Sequence, residues 1–169
     1  ETASGGEANL SGPFVLAGDH RLESERFRLI FDPATGYIAS LWDKEAEIEV
    51  FAGPAAVPVV IEDRSDTWSH NVWSYRDVVD RFTATAMTPI ASGPVEAVMR
   101  VVSECGRSRI VQDFTLYAGL DQIDVFVTVD WQEQFKVLKL KFPVNVHFHA
   151  ATSQIPYGHI VRDTNGEEQ

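Results

Sequence analysis

Five side chains suited to holding a sugar fall within ten residues: Asp66, Trp68, His70, Trp73 and Tyr75. Aromatic faces stack on the apolar faces of pyranose rings, while carboxylates and imidazoles exchange hydrogen bonds with hydroxyls. These five are therefore the candidate substrate-binding residues. Around them Glu62, Asp63, Asp66, Asp77 and Asp80 form an acidic cluster, with Arg64, Arg76 and Arg81 interleaved. Close carboxylates can separate into an acid and a base, but a solvated face with its own counterions gives the same pattern.

The remaining reactive residues support no catalytic assignment. His147 and His149 are two apart on an expected strand, which would put both imidazoles on one face, as a metal-binding pair requires. No third ligand can be named, and alternation with Val146 and Phe148 explains the spacing equally well. No metal or cofactor is therefore expected in this chain. Ser103 and Ser108 have neither a nucleophile-elbow pattern nor an assignable His and Asp. Cys105, next to Gly106 in an expected turn, has no identifiable base and reads as an incidental thiol. Trp42 and Trp131 end or interrupt strand patterns and read as core or rim packing.

A formal charge of −11 repels a phosphate backbone, and the 14 Lys and Arg are scattered rather than gathered into a stripe. Nucleic acid is thus a poor partner. No apolar run approaches the length needed to cross a bilayer, and the start lacks the order of a signal peptide. With a single cysteine no intrachain disulfide can form, and the expected location is cytoplasmic.

The elements that must position these residues are strands. Period-two alternation or β-branched and aromatic runs mark Phe27 to Phe31, Tyr37 to Trp42, Ile48 to Phe51, Val57 to Ile61, Phe82 to Thr88, Val95 to Ser103, Arg109 to Tyr117, Ile123 to Asp130, Leu138 to Val146 and His147 to Thr152. Turn chemistry separates them at Asp32 to Gly36, Ser92 to Pro94, Cys105 to Ser108 and Ala118 to Asp121. Helical periodicity is nearly absent. The expectation is an all-β, mostly antiparallel β-sandwich over 14–169, preceded by a linker or tail over 1–13. Only Glu62 to Asp77 breaks the rhythm. It reads as a long ordered loop, and long loops that keep aromatic residues are disproportionately functional.

Several blocks occur in a telling order: Leu22 to Asp32, Gly36 to Lys44, Asp66 to His70, Gly93 to Ala97, Ser108 to Gln112, Val129 to Trp131, Leu138 to Val144 and Ile155 to Arg162. In that order and spacing the chain resembles the C-terminal region of glycoside hydrolase family 38 α-mannosidases, over nearly everything after Asp19. The resemblance implies a zinc-dependent retaining enzyme, with an N-terminal barrel followed by a helical bundle and then a large sandwich of the galactose mutarotase-like type. It also implies that the zinc ligands (a His-x-Asp pair, a further Asp and a later His) and the Asp nucleophile all precede the sandwich. The five histidines here include no His-x-Asp, and retaining hydrolysis needs two carboxyl groups about 5 Å apart across the bond.

The chain is accordingly expected to be a non-catalytic sandwich, cut short at its C-terminal end. It would buttress the barrel of the same polypeptide and line the α-mannoside cleft, with zinc held in the parent's catalytic domain. Two alternatives stay open: a free-standing carbohydrate-binding or interaction module, and a mutarotase-like epimerase.

Overall fold

The computed structural model describes residues 15–146, 148 and 150–163. The expected linker over 1–13 and the pair His147 and His149 lie outside the described residues. In chain order the strands are β1 (Val15–Gly18), β2 (Arg21–Ser24), β3 (Phe27–Phe31), β4 (Ile38–Asp43), β5 (Ile48–Glu49), β6 (Val57–Glu62) and β7 (Val78–Arg81). They continue with β8 (Thr83–Ser92), β9 (Glu96–Cys105), β10 (Ser108–Tyr117), β11 (Ile123–Asp130), β12 (Lys136–Lys141), β13 (Ala150–Ile155) and β14 (Gly158–Asp163). No described residue is helical. The domain is all-β, and every strand pairing is antiparallel.

β1 to β5 form one meandering sheet, and β8 to β11 form a second in the order β11-β10-β9-β8. Along β10 the residues Ile110, Gln112, Phe114 and Leu116 are buried while those between them are not, so one face meets a core and the other is wetter. Leu22, Leu29, Phe31, Ile38 and Leu41 of the first sheet pack against Ala97, Met99, Val101, Phe114 and Leu116 of the second. At the centre the rings of Phe31 and Phe114 meet edge-on, with centroids 5.0 Å apart. Each fully buried ring contributes about 1.5–3 kcal/mol relative to exposure.

The long strands β9 and β10 reach beyond the first sheet, and a third sheet, β12-β6-β7, covers their far ends. Here Val60, Phe82, Cys105 and Ile110 form a second core, on which Val127, Trp131, Leu138 and Leu140 pack. Trp131 stacks on Phe82 with centroids 6.4 Å apart, which is the packing role its sequence position suggests. The opposite face of β6 is also covered: Val57, Val59 and Ile61 lie beneath Tyr37 and Tyr75. Burial on both faces explains why β6 reads as an unbroken apolar run, Val-Pro-Val-Val-Ile, rather than an alternation. The buried Gln112 amide donates to the Ala56 carbonyl at 3.3 Å.

The departures from expectation have local causes. β1 and β2 are four residues each; β1 is Val-Leu-Ala-Gly with no polar residue to alternate, and β2 has a single large apolar residue, Leu22, among Arg21, Glu23 and Ser24, so no alternation announces either. β7, exposed throughout, is an added strand between the expected loop, which ends at Asp77, and the strand expected from Phe82. The strand expected over Leu138 to Val146 stops at Lys141, just before Pro143, which has no N–H for a ladder. Beyond it the Pro143 carbonyl and the Asn145 N–H still bond to Ala52 and Val50. Of the run expected over His147 to Thr152, strand begins at Ala150, and the Pro156-Tyr157 turn sends the chain back as β14.

Candidate functional site

The segment from Asp63 to Asp77 connects β6 to β7 as a loop without helix or strand. Its base is closed by the Glu62 N–H donating to the Asp77 carbonyl at 3.0 Å, and by the Asp63 N–H donating to the Phe135 carbonyl at 2.8 Å. Asp side chains build the turns, because a short carboxylate can take backbone N–H groups one or two residues ahead. Asp63 accepts from the Ser65 N–H and hydroxyl at 3.0 and 2.8 Å. Asp66 accepts from the N–H groups of Trp68 and His70 at 3.0 and 3.2 Å. Ser69 and Asn71 follow in left-handed conformation, φ 55° and 62°.

Asp66 and His70 form a pair, with Oδ2 and Nδ1 2.5 Å apart. The hydrogen bond from the His70 side chain, helped by the His70 and Trp68 N–H groups, holds the Asp66 carboxyl below the usual carboxylate range. An ionised Asp66 can only accept, so Nδ1 carries the proton.

His70, Trp73 and Tyr75 are brought together as walls of one cleft of about 480 Å³, with Asp63, Arg64 and Asp77 also lining it. Asp66 and Trp68 do not line it. Asp66 contacts the cleft-lining His70, and Trp68 stands outside the cleft. Trp68 and Trp73 are 81% and 78% exposed, an unusual condition for two indoles unless something covers them. Tyr75 is half-buried: its ring lies on the β6 core and under the Lys139 ammonium at 5.4 Å, and its hydroxyl bonds Ser69 at 2.7 Å. Its position is thus fixed from both sides.

The acidic residues of this region do not converge. Glu62 pairs with Arg64 at 2.6 Å, Asp63 and Asp66 serve their own turns, and Asp80 accepts the Arg81 N–H at 2.8 Å. Asp80 also takes a bond from the Cys105 thiol. That thiol is buried, and desolvation followed by the Asp80 hydrogen bond pushes its pKa up to about 11, the opposite of an activated nucleophile. Among the described residues no three His, Cys, Asp or Glu side chains gather as a metal site requires. These residues do not fit a zinc ion.

One residue beside the loop carried no sequence signal. Phe135, in the β11–β12 connection, has φ 54° and is 72% exposed. A bulky residue in that region costs about 1–3 kcal/mol and persists only where its surroundings enforce it. A left-handed backbone is announced in a sequence by Gly or Asn, and here neither is present. Elsewhere, a cleft bounded by Ser24, Arg26, Lys44, Leu120 and Asp121 is occupied by its own charges. The Arg26 guanidinium reaches Asp43, Glu45 and Asp121 at 3.1, 2.7 and 2.7 Å.

Residues 22–169 match the family described as Glycosyl hydrolases family 38 C-terminal domain. Alpha-mannosidase G of Dictyostelium discoideum is 23% identical over 160 residues, covering 88% of this chain and 14% of its own length. Alpha-mannosidase 2C1 of Homo sapiens is 36% identical over 58 residues, covering 34% of this chain and 6% of its own. The chain therefore spans only a small part of the curated relatives it matches. Among the described residues no helix is long and apolar enough to cross a membrane.

Proposed function

The chain belongs to the glycosyl hydrolase family 38 C-terminal domain family, and from that premise we propose that it is the non-catalytic β-sandwich of a zinc-dependent retaining α-mannosidase. In this reading residues 14–169 form the sandwich and residues 1–13 a linker. The sandwich buttresses a catalytic barrel of the same polypeptide, and the loop from Asp63 to Asp77 stands at the rim of the α-mannoside cleft. Zinc, nucleophile and acid/base carboxyl are supplied by the barrel. The unpaired Cys105 suits a cytoplasmic compartment.

The observation that carries the proposal is the loop itself. Its backbone is ordered by Asp63 and Asp66, yet Trp68 and Trp73 are left outside the core. Ordering two indoles away from the core is unfavourable for an isolated surface and favourable when a sugar or a facing domain covers them. In the cleft, the Trp73 ring offers an apolar platform and the His70 imidazole a hydrogen-bonding partner for a hydroxyl.

The test is Trp73→Ala and Asp66→Ala in the full-length polypeptide. Both are expected to lower kcat/KM on an α-mannoside roughly 10-fold or more, while the thermal midpoint moves little because exposed loop residues contribute little to a core. Unchanged activity with unchanged stability would remove the loop from the cleft and leave the sandwich a structural buttress only.

A further inference from the structure

We propose that a second pyranose subsite adjoins this loop, in a cleft of about 430 Å³ between residues 62–64 and 134–136, with the exposed ring of Phe135 as its stacking platform. The inference rests on the reading of the loop as a sugar-facing rim. It names a residue and a cleft outside the loop.

Four observations converge on it. Phe135 holds a left-handed backbone, φ 54°, that a phenylalanine adopts only under constraint, and such outliers gather where a side chain is aimed at a ligand. The constraint is visible on both flanks. The Phe135 carbonyl takes the Asp63 N–H at 2.8 Å, locking it to the loop. On the other flank Glu133 is fixed by the Arg107 N–H at 3.2 Å, the Ser108 hydroxyl at 3.3 Å and the Lys136 ammonium at 3.5 Å, while Ser108 Oγ takes the Gln132 N–H at 2.9 Å. These bonds set the backbone but do not cover the ring, which stays 72% exposed.

Next to the ring, Gln134 offers both an amide donor and an amide acceptor, and Glu62 and Arg64 are held to each other at 2.6 Å. An apolar face ringed by neutral and mutually compensated polar groups matches a neutral hexose, which presents one apolar face and a belt of hydroxyls. A phosphate or a carboxylate would find both cations of the cleft already engaged, Arg64 by Glu62 at 2.6 Å and Lys136 by Glu133 at 3.5 Å. Because the two clefts share Glu62 and Arg64, consecutive sugars of one oligosaccharide would be contacted by Trp73 in one and Phe135 in the other.

The experiment titrates the chain with methyl α-mannoside and with an α-linked mannobiose, following backbone amide shifts. The variants are Phe135→Gly, Phe135→Tyr and Trp73→Ala. Glycine accepts the left-handed backbone without strain, so Phe135→Gly should keep or raise the thermal midpoint while weakening mannobiose at least 10-fold. Its effect on the monosaccharide should be smaller. Phe135→Tyr should retain binding. Mannobiose that binds Phe135→Gly as well as it binds the unaltered chain, or that leaves residues 134–136 unperturbed up to millimolar concentration, overturns the subsite. If Trp73→Ala still lowers activity of the full-length polypeptide in that case, the rim reading survives its loss.

Discussion

Asp66 organises its turn through one carboxylate, which takes two backbone N–H groups with one oxygen and the His70 imidazole with the other. Its depressed pKa fixes the sign of the pH response. The order that it imposes is fully present above the unfolded value, about 3.9, and is lost as pH falls through the lower folded value. The amide signals of Trp68 and His70 should therefore titrate together with a midpoint below about 3.9, and a midpoint at or above it would contradict the pairing. Cys105 responds in the other direction. With its thiol pushed up to about 11, its reaction with a thiol reagent at pH 8 should be roughly 100-fold slower in the folded chain than in denaturant. Equal rates would mean that the thiol is not buried. At this scale the sequence was readable where a residue's chemistry is local. Asp66, His70 and Trp73 stand out by type and spacing as candidates, and the structure pairs the first two and brings His70 and Trp73 to one cleft. The strained Phe135 does not, because its geometry is imposed by Asp63, Glu133 and Ser108 from elsewhere in the chain.

The strands show how local pattern and tertiary context divide the work. β10 was readable because it has one buried face and one wetter face, and β11 because Ile123, Val125, Val127 and Val129 alternate with Asp124, Thr128 and Asp130, although none of its residues is fully buried. β7 was not, since all four of its residues are exposed and its place is set by pairing with β6. The Asp32 to Gly36 turn was readable and is demanding. Asp32 takes the Ala34 N–H at 2.9 Å and the Thr35 hydroxyl at 2.7 Å, and Gly36 has φ 76°. A Cβ at Gly36 would stand 2.5 Å from the Ala84 Cβ and 2.7 Å from a Val101 methyl. Gly36→Ala should thus destabilise by about 2 kcal/mol or more in denaturant unfolding, from strain and overpacking combined. Phe114→Ala, which empties the centre between the two large sheets, should cost about 3–5 kcal/mol. A loss below about 1 kcal/mol at both positions would argue against this packing.

Across the whole molecule, two sheets face each other over one core and a third extends the layer over a second core. Apolar side chains remain outside both: Phe142, Val144 and Val146 after β12, and Ile155, Ile160 and Val161 on the β13–β14 hairpin. Among the described residues that hairpin pairs only with itself, so its outer backbone groups are open to another strand. The chain on its own should show concentration-dependent association in sedimentation, reduced by Val146→Asp, and a strict monomer would contradict this. If, as we propose, this sandwich serves catalysis performed elsewhere in its polypeptide, the purified chain should not hydrolyse an aryl α-mannoside, with or without added zinc. No turnover above buffer is expected in either condition. Turnover that persists through purification and disappears when Asp66 or His70 is replaced would contradict it and place a complete active site within these residues.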